Sequence, residues 1–462
     1  MLTGINLAAY PNKKQKKTIS EWFGCGRYIW NAKCEEDKYL INFARRYLPI
    51  GTYPKIDQSF SQYKNKELSP WLFEIPSQLL RNSVSNWHHT YRQYLKGLCG
   101  KPKRKRKLAC DSVHLTRELF SFEKCQDGNT RLFIGTKTKN IGYLSIKKHK
   151  EFGKPNSIYL KRKNGKYSIS FCYEEKRKEE EEISQDDCLK QLKTFSVKEL
   201  EEITVGIDRG VVRPVQAGEE FFDYTIEQKR KKRAKEKYIK RCQQKLSRQV
   251  KRSKTRYKTK HQLAKAYEKL CNIRNDFCHK TTRFLVDNKK TKIFILETLN
   301  TSQMTKKPKP KKDEKTEKYL KNNRRKKAKL NSSILDKCWH KLETYLKYKV
   351  VKAKKMWFKV PANYTSQECA EYGHIHPDNR KTQKIFCCLK CGHTDNADHN
   401  AARVIKKRAL NLFSDSGTEL SKQGVLLDKE RGAINKTRGA KANRAQSYET
   451  LKKKRKAAVK VA

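Results

Sequence analysis

Residues 364–405 read YTSQECAEYGHIHPDNRKTQKIFCCLKCGHTDNADHNAARVI, and this stretch contains the same short frame twice. The first copy, CAEYGH, starts at Cys369, and the second copy, CLKCGH, starts nineteen residues later at Cys388. Paired Cys-x-x-Cys-Gly frames are typical of zinc ribbons, because a tight turn in each frame brings two ligands to one tetrahedral metal. Here Tyr372 stands at one of the four expected ligand positions.

The identity of the fourth zinc ligand is open at this point. A tyrosine is a poor zinc ligand at neutral pH, because its phenol must first lose a proton. In one alternative, His374 completes the site together with three thiolates, those of Cys369, Cys388 and Cys391, and Cys387 is a further spare thiol. In the other alternative, the site is weakened or holds no metal, because only three ligands remain.

Three acidic residues stand where a strand or a helix is predicted to begin or end. Asp208 ends the run ITVGI, Glu297 ends the run KIFIL, and Asp398 precedes an Asn-Ala-Ala helix start. An unpaired buried carboxylate is costly, and a bound metal removes that cost. Three carboxylates that converge at one sheet edge can hold two divalent cations such as Mg²⁺, which suits phosphodiester hydrolysis. Acids at such positions also act as helix caps or salt-bridge partners, so both interpretations stay open.

The composition indicates a nucleic-acid partner. The chain has 462 residues, and its 109 Lys and Arg against 48 Asp and Glu give a net charge of +61. Self-repulsion of that size opposes compaction unless a polyanion neutralises it. The 15 cysteines show no disulfide spacing, the N-terminal lysines follow an apolar segment instead of preceding it, and no apolar stretch is long enough to span a bilayer. We expect a cytoplasmic, nucleoid-associated protein with no signal peptide, no membrane partner and no small-molecule substrate.

The sequence periodicity indicates a mixed fold class, an α/β part together with all-β and all-α parts. Apolar residues recur at helical spacing in two stretches, residues 18–48 and 76–98, with lysines and arginines between them. From residue 113 to residue 174 the pattern alternates, and Asn164-Gly165 is the preferred dipeptide for a tight hairpin turn. We therefore predict a small β-barrel inserted among helices, and a disordered basic tail over residues 413–462.

Five motifs together resemble the TnpB (OrfB) proteins of insertion sequences, which are compact relatives of type V CRISPR effectors. The motifs are VGIDRG around Asp208, ILETLN around Glu297, YTSQECAE, CLKCGHT and DNADHNAARVI. The resemblance implies an RNA-guided DNA endonuclease with a RuvC-type site on an RNase-H-like fold. It implies that Asp208, Glu297 and Asp398 hold Mg²⁺ or Mn²⁺ and that the ribbon holds a structural Zn²⁺. Asp398 is preferred over Asp395 because it stands two residues before the Asn-Ala-Ala sequence.

The resemblance also implies a domain plan and two partners. The plan has a wedge-like β-barrel over residues 1–20 and 108–180, a helical recognition domain over 21–107, a RuvC-like nuclease with a basic helical insertion over 200–364, a zinc ribbon over 365–394 that contacts the target nucleic acid, and the end of the RuvC-like domain over 395–412. The partners are a guide RNA and a target double-stranded DNA, with base pairing reading the target sequence.

Three other functions match parts of the sequence. A DNA-binding regulator directed by RNA or by sequence, which does not cut, would be expected to have lost one of the acids, and all three are present. A transposase proper would use the same carboxylates, because RNase-H-like folds also perform strand transfer. A single-strand transposase of the His-hydrophobic-His type formally matches His374-Ile375-His376, but that motif belongs on a sheet strand and here it lies within the metal-binding frame.

Overall fold

The structure is a computed structural model that describes residues 2–50, 52, 55–107, 110–124, 130–174, 185–192, 194–313, 317, 319–320, 322–382, 384–414, 418–421 and 424–428. The chain divides into two compact units. The N-terminal unit contains Met1–Glu180 and Lys251–Lys265, and the C-terminal unit contains Glu181–Val250 and Ala266–Ala462. Within the described ranges, no helix is long and apolar enough to cross a membrane.

The N-terminal unit combines a large sheet with two helices. In chain order its elements are β1 (Leu2–Tyr10), α1 (Lys13–Tyr47), α2 (Ser77–Leu95), β2 (Cys110–Thr116), β3 (Phe120–Lys124), β4 (Thr130–Gly135), β5 (Asn140–Lys147), β6 (Ser157–Lys163) and β7 (Lys166–Glu174). Short 3₁₀ helices lie at Ser61–Tyr63, Pro70–Leu72 and Arg117–Leu119.

Helix α1 packs its apolar face into the core of this unit. It begins after Asn12, whose side chain accepts a hydrogen bond from the backbone of Gln15 while the Gln15 side chain bonds back to Asn12, a capping box. The buried residues of α1 recur at helical spacing, as at Ile19, Trp22, Phe23 and Ile29. They share one hydrophobic cluster with residues of α2 and of the sheet. This burial, about 1.5–3 kcal/mol for each large apolar side chain, is what holds the helix on the sheet.

The predicted β-barrel is wrong in one respect, because the sheet is open in the part of the chain that the structure describes. Its seven strands are antiparallel in the order β2-β6-β7-β1-β5-β4-β3, so β2 and β3 lie at opposite ends of the hydrogen-bonded order although they are neighbours in sequence. The 3₁₀ helix Arg117–Leu119 stands between them. It redirects the backbone, and no ladder joins the two described edges.

The predicted hairpin turn is confirmed. Strands β6 and β7 pair in antiparallel register up to Lys163 and Lys166, which flank the dipeptide Asn164-Gly165. Both turn residues have positive φ, 51° for Asn164 and 83° for Gly165. A two-residue turn of this kind needs the left-handed region at both positions, which asparagine and glycine tolerate best.

The C-terminal unit contains the remaining elements. In chain order these are α3 (Gln185–Leu192), α4 (Val197–Ile203), β8 (Thr204–Asp208), β9 (Val215–Ala217), β10 (Glu220–Phe222), α5 (Ile226–Arg248), α6 (Lys254–Asp287), β11 (Ile293–Thr298), α7 (Thr301–Met304), β12 (Lys311–Lys312), β13 (Tyr319–Leu320), α8 (Arg324–Asp336), α9 (Trp339–Lys352), β14 (Met356–Pro361), β15 (Ile385–Cys387), β16 (Thr394–Asn396), α10 (Ala397–Ser414), β17 (Thr418–Leu420) and β18 (Leu426–Asp428). The first turns of α6, up to residue 265, group with the N-terminal unit.

A five-stranded sheet forms the centre of this unit, in the order β10-β9-β8-β11-β14. Strands β8, β11 and β14 are parallel, whereas β9 is antiparallel to β8 and to β10. Residues of α6 and α9 cover one face, and residues of α10 cover the other. A parallel strand that is covered on both faces has a continuous apolar sequence, and this accounts for the run KIFIL in β11.

The prediction of disorder from residue 413 is wrong for the first part of that segment. Helix α10 continues to Ser414, and β17 and β18 pair with each other. The backbone N–H of Lys359 in β14 donates to the carbonyl of Gly424 at 2.8 Å. Leu426 is fully buried in the same cluster as Phe413. Strands of only three residues carry too little periodicity to be recognised in sequence. The remainder of the predicted tail, residues 429–462, lies outside the described residues.

We expect Leu426→Ala to lower the free energy of unfolding by about 2–4 kcal/mol, because it removes a fully buried side chain and leaves a cavity. The matched control is Leu335→Ala, since Leu335 is 61% exposed, and this change should stay within about 0.5 kcal/mol. Urea denaturation of the full chain measures both values. Equal effects of the two substitutions would show that the β17–β18 hairpin does not pack on the sheet.

Candidate active site

The three predicted acids lie at one edge of the five-stranded sheet. Asp208 is the last residue of β8, Glu297 is near the end of β11, and Asp398 is in the first turn of α10. Strands β8 and β11 are parallel, and Ile207 lies opposite Leu296. Asp208 and Glu297, the next residue of each strand, therefore lie side by side. All three acids line one cavity of about 610 Å³. The structure therefore brings together residues that are far apart in sequence.

The packing of α10 on β8 explains how Asp398 reaches the strand ends. Gly206 lies in β8, and a Cβ atom added there would stand 2.1 Å from the carbonyl oxygen of Ala402. Only glycine allows the helix backbone to lie this close to the strand. At the start of α10, the side chain of Asn396 accepts a hydrogen bond from the backbone N–H of Asp398 at 3.1 Å. The cap orients the first turn, and the acid is part of that turn.

Burial and mutual repulsion make these acids hard to ionise. Burial raises the pKa of Asp208 well above its usual value, and the charges of Glu297 and Asp398 raise it further. Burial also raises the pKa of Glu297, an effect that the positive charge of Arg209 opposes. Burial raises the pKa of Asp398, and the positive charge of Arg380 opposes this increase. A site of this kind favours a multivalent cation, because the cation relieves the repulsion among the carboxylates.

Asp208 and Glu297 lie within hydrogen-bond reach of each other, but the three carboxylates do not all meet at one point. Among the described residues, their oxygen atoms do not form a group in which all members lie within 4.8 Å of one another. Arg380 partly explains this spacing, because its guanidinium donates to Oδ1 of Asp398 at 3.1 Å. Thr365 donates a hydrogen bond to Oε2 of Glu297 at 3.3 Å. The arrangement leaves room for more than one ion or for an ion together with a phosphate.

Arg209 supports the site from within the unit. Arg209 is only 4% exposed. Its guanidinium donates to the backbone carbonyl of Glu297 and, at 2.8 Å, to Oε2 of Glu343. Burial opposes ionisation of Glu343, but hydrogen bonds from Lys359 and Lys347 and the charge of Arg209 lower the pKa of Glu343 to about 2. The Arg209–Glu343 pair therefore stays charged, and it fixes the end of β11.

The doubled sequence frame folds as two similar turns, which we call the first and second knuckle. In the first knuckle, the N–H of Cys369 donates to the carbonyl of the histidine five residues later, and the N–H of the glycine donates back to the carbonyl of Cys369, at 3.0 and 2.8 Å. The second knuckle repeats both bonds around Cys388, at 2.9 and 3.0 Å. Gly373 and Gly392 have φ of 76° and 67°, as a turn in the left-handed region requires.

Three cysteine sulfur atoms come together between the knuckles. Those of Cys369, Cys388 and Cys391 lie within 4.8 Å of one another, and the sulfur atoms of Cys369 and Cys391 are 3.7 Å apart. The structure does not bring His374 into this group. Tyr372 is 62% exposed, and the ammonium of Lys390 lies 5.8 Å from its ring centroid.

Three family models match parts of the chain. A model described as "Helix-turn-helix domain" matches residues 1–35, and the OrfB_IS605 model, described as "Probable transposase", matches residues 170–308. A model described as "Cas12f1-like, TNB domain" matches residues 339–405.

The similar proteins agree with these models. A protein of Escherichia coli (strain K12), named as a candidate RNA-guided DNA endonuclease, InsQ, is 27% identical over 398 residues, which are 86% of this chain and 89% of that protein. The CRISPR-associated endodeoxyribonuclease Cas12f1 of Sulfoacidibacillus thermotolerans is 43% identical over 67 residues, 14% of this chain and 16% of that protein. A solved Cas12f1–sgRNA–target DNA complex shares the fold, with a TM-score of 0.51 and 14% identity over 88% of this chain and 98% of that chain.

These matches support the assignment of the chain to the TnpB (OrfB) family.

The candidate site is assembled from two separately matched segments. Residues 170–308 contain Asp208 and Glu297, and residues 339–405 contain Asp398 together with both knuckles. The residues matched by the helix-turn-helix model form β1 and the first part of α1.

Sequence reasoning missed three residues of the cavity, Thr365, Arg209 and Arg380. Arg209 directly follows Asp208 and Thr365 opens the knuckle stretch, so both stand beside recognised motifs. Arg380 stands between the two frames in a short 3₁₀ helix, Pro377–Arg380, and no local pattern points to it. Only the folded chain brings its guanidinium to the acids.

We expect Gly206→Ala to lower the free energy of unfolding by about 3 kcal/mol or more, because the new methyl group would force α10 away from β8. Gly100→Ala is the control, since no atom lies within 4 Å of a Cβ added there. Urea denaturation of the two variants checks this expectation. A Gly206→Ala protein as stable as the control would mean that α10 does not lie against this strand.

Proposed function

We propose that this TnpB (OrfB) protein is an RNA-guided, divalent-metal-dependent DNA endonuclease of an insertion sequence. The observation that carries the proposal is the meeting of Asp208, Glu297 and Asp398 in one cavity from three distant segments. Their raised pKa values have a common cause in burial, to which the charges of Glu297 and Asp398 add at Asp208, and such shifts are typical of functional sites. The name of the E. coli relative, a candidate RNA-guided DNA endonuclease, supports the same activity.

We propose that the five-stranded sheet with its helices is a RuvC-like nuclease domain of RNase-H-like fold. The support is topological. Numbered along this sheet alone, its strands follow the order 3-2-1-4-5, with the first three antiparallel and the last two parallel to the first. Asp208 and Glu297 stand at the ends of the parallel strands β8 and β11, where open α/β sheets bind their ligands, and Asp398 joins them from α10.

Oxygen donors at the site fit Mg²⁺ or Mn²⁺, because hard divalent cations prefer carboxylates. Two ions about 3.5–4 Å apart would spread their ligands, in agreement with carboxylates that do not surround a single point. Bound there, such ions supply water activation and stabilisation of the leaving oxygen. Asp208, Glu297 and Asp398 would hold the ions, and Arg209 would keep the backbone of Glu297 in place.

Arg380 provides the positive charge that faces the site from the ribbon. Its guanidinium contacts Asp398, and it lines the same cavity as Lys381 and Thr382. Arginine binds phosphate oxygens with strong, charge-assisted hydrogen bonds, so a guanidinium beside the acids suits a phosphate bound in the same cavity. We assign Arg380 the role of neutralising the charge of the DNA phosphate at the site.

We propose a guide RNA and a target double-stranded DNA as the partners of the protein. A net charge of +61 requires a polyanion of large size. In the N-terminal unit, the basic run 101–107 is fixed to α1, because the indole N–H of Trp30 donates to the carbonyl of Lys103 at 3.0 Å and Asn31 exchanges two hydrogen bonds with the backbone of Lys105. A run that is already ordered loses little conformational entropy when it contacts a phosphate backbone.

We propose a zinc-ribbon role for the two knuckles. The cysteine cluster fits Zn²⁺, because thiolates at about 2.3 Å from a tetrahedral ion lie about 3.8 Å apart, and the sulfur atoms of Cys369 and Cys391 are 3.7 Å apart. The zinc would hold the knuckles together beside the acids, and Arg380, which stands between the frames, would be held with them.

We expect Asp208→Asn, Glu297→Gln and Asp398→Asn each to lower Mg²⁺-dependent cleavage of RNA-matched DNA by about 10³-fold or more, because each removes a charged metal ligand. The matched control is Glu220→Gln, an exposed acid at the edge of the same sheet, which should cleave like the parent. The assay measures cleavage of matched and unmatched linear DNA by protein that carries its co-purified RNA.

The amount of co-purified RNA should be equal in all four variants, which separates loss of cutting from loss of RNA binding. Matched DNA that stays intact with the parent and with Asp208→Asn alike would contradict the nuclease and favour a binding regulator. Joining of cut ends to a second DNA would favour the transposase that the description of the OrfB_IS605 model names.

We expect Arg380→Gln to lower the cleavage rate at saturating Mg²⁺ by about 10–100-fold, because a positive charge is lost where the phosphate binds. The Mg²⁺ concentration for half-maximal rate should not rise, since the guanidinium competes with the metal for Asp398. Arg403→Gln is the control, because Arg403 pairs with Glu371 on the surface. A normal rate at saturating Mg²⁺ together with a higher Mg²⁺ requirement would show that Arg380 only orders Asp398.

A further inference from the structure

We infer that the ribbon holds its metal through three cysteine thiolates and that the fourth position takes an exchangeable ligand from solution, favouring a small thiolate. The inference rests on the part of the proposed function that gives the cysteine cluster a metal. It does not depend on DNA cleavage.

The equivalence of the two knuckles identifies the position of the missing donor. Cys391 stands three residues after Cys388, and Tyr372 stands three residues after Cys369. Both knuckles have the same backbone hydrogen bonds. In the first knuckle, the backbone N–H of Tyr372 still donates to the sulfur of Cys369 at 3.4 Å. The turn that would present a second thiolate is therefore intact, and only the donor atom is absent.

The side chain of Tyr372 does not replace that donor. It is 62% exposed, and Lys390 approaches its ring from the second knuckle. The usual zinc ligands in proteins are thiolates, histidine nitrogens and carboxylates, and a phenol is not among them.

Neighbouring donors do not fill the position either. The ring of His374 stacks on His376, with centroids 6.0 Å apart, and Nε2 of His393 lies 3.9 Å from Oδ2 of Asp395. Throughout the described ranges, no histidine, aspartate, glutamate or further cysteine, Cys387 included, joins the three sulfur atoms in a group of ligand atoms within 4.8 Å of one another. Three thiolates are thus the whole set that the described residues supply.

The chemistry of zinc then defines the fourth ligand. Zinc in proteins is almost always four-coordinate, and a site with three protein ligands keeps its fourth position for a molecule from solution. Cys391 is exposed, so a small molecule can reach the metal beside it. The ammonium of Lys390 lies 5.8 Å from the ring centroid of Tyr372, the residue at the fourth ligand position, and its charge favours an anionic donor there. Soft donors suit a metal held by thiolates, and a small thiolate combines both properties.

The test uses full-length protein with its co-purified RNA, loaded with Co²⁺ in place of zinc, and follows the visible absorption bands of tetrahedral Co²⁺. We expect 2-mercaptoethanol to shift the bands of the parent in a saturable manner, and imidazole to do so more weakly. Tyr372→Cys should show the shifted spectrum from the start and should not respond to either compound. Competition with a chromophoric chelator should show that Tyr372→Cys binds Zn²⁺ at least about 10-fold more tightly than the parent.

Three further variants keep the inference open to refutation. Tyr372→Phe and His374→Ala should respond to the thiol like the parent. A changed spectrum or weaker zinc binding in either variant would overturn the inference, because the substituted residue would then be the fourth ligand. Cys388→Ser should lose the Co²⁺ bands, and parent protein that binds no more Co²⁺ than Cys388→Ser would also overturn it. A cleavage assay run in parallel keeps the proposed nuclease separate, since its failure leaves the spectra unchanged.

Discussion

The burial of three like charges at one sheet edge is the constraint on which the C-terminal unit depends. At an effective dielectric constant of about 20, two carboxylates about 5 Å apart repel each other by roughly 3 kcal/mol. Glu297 and Asp398 both act on Asp208 in this way, and two such repulsions are a large fraction of the stability of a typical domain. The protein answers with Arg209 and Arg380, whose charges oppose the effect of burial on Glu297 and Asp398. The two arginines do not offset the cost of desolvation, because the pKa values of Glu297 and Asp398 are still raised. A bound metal ion would therefore stabilise the acids further.

Helix α10 couples this acid cluster to the ribbon. Two residues after Asp398, the buried amide of Asn400 accepts from the N–H of Ala370 at 3.0 Å and donates to the carbonyl of Glu368 at 2.7 Å. Both partners belong to the start of the first knuckle. A displacement of the knuckle would therefore move the first turn of α10, and with it the third carboxylate. The Asn-Ala-Ala sequence combines this link with the small residues that let the helix lie on Gly206.

The sequence reveals those parts of the site that depend on local pattern. Asp208 and Glu297 can be found because each ends an apolar run, and a strand that terminates in an acid is visible without knowledge of its neighbours. Arg380 cannot be found in this way, because its place at the acids results from the fold of the ribbon. The same limit applies to the N-terminal sheet. The alternation of apolar and polar residues predicts its strands, and the Asn164-Gly165 dipeptide predicts the turn. Closure of the sheet depends instead on the pairing of β2 with β3, which are neighbours in sequence and are separated by a 3₁₀ helix.

Buried hydrogen bonds explain how the ribbon tolerates a tyrosine at a ligand position. Asn379 is fully buried, and its side-chain amide donates to the carbonyls of Gln367 at 2.9 Å and His374 at 3.0 Å in the first knuckle. Its carbonyl accepts from the N–H of Leu389 in the second knuckle at 3.0 Å. One side chain thus joins both turns, and three bonds of about 0.5–1.5 kcal/mol each amount to a few kcal/mol. In a ribbon held only by metal, loss of one ligand would separate the knuckles. Here Asn379 keeps them in register, so a metal site with three thiolates is compatible with a folded ribbon beside the acids.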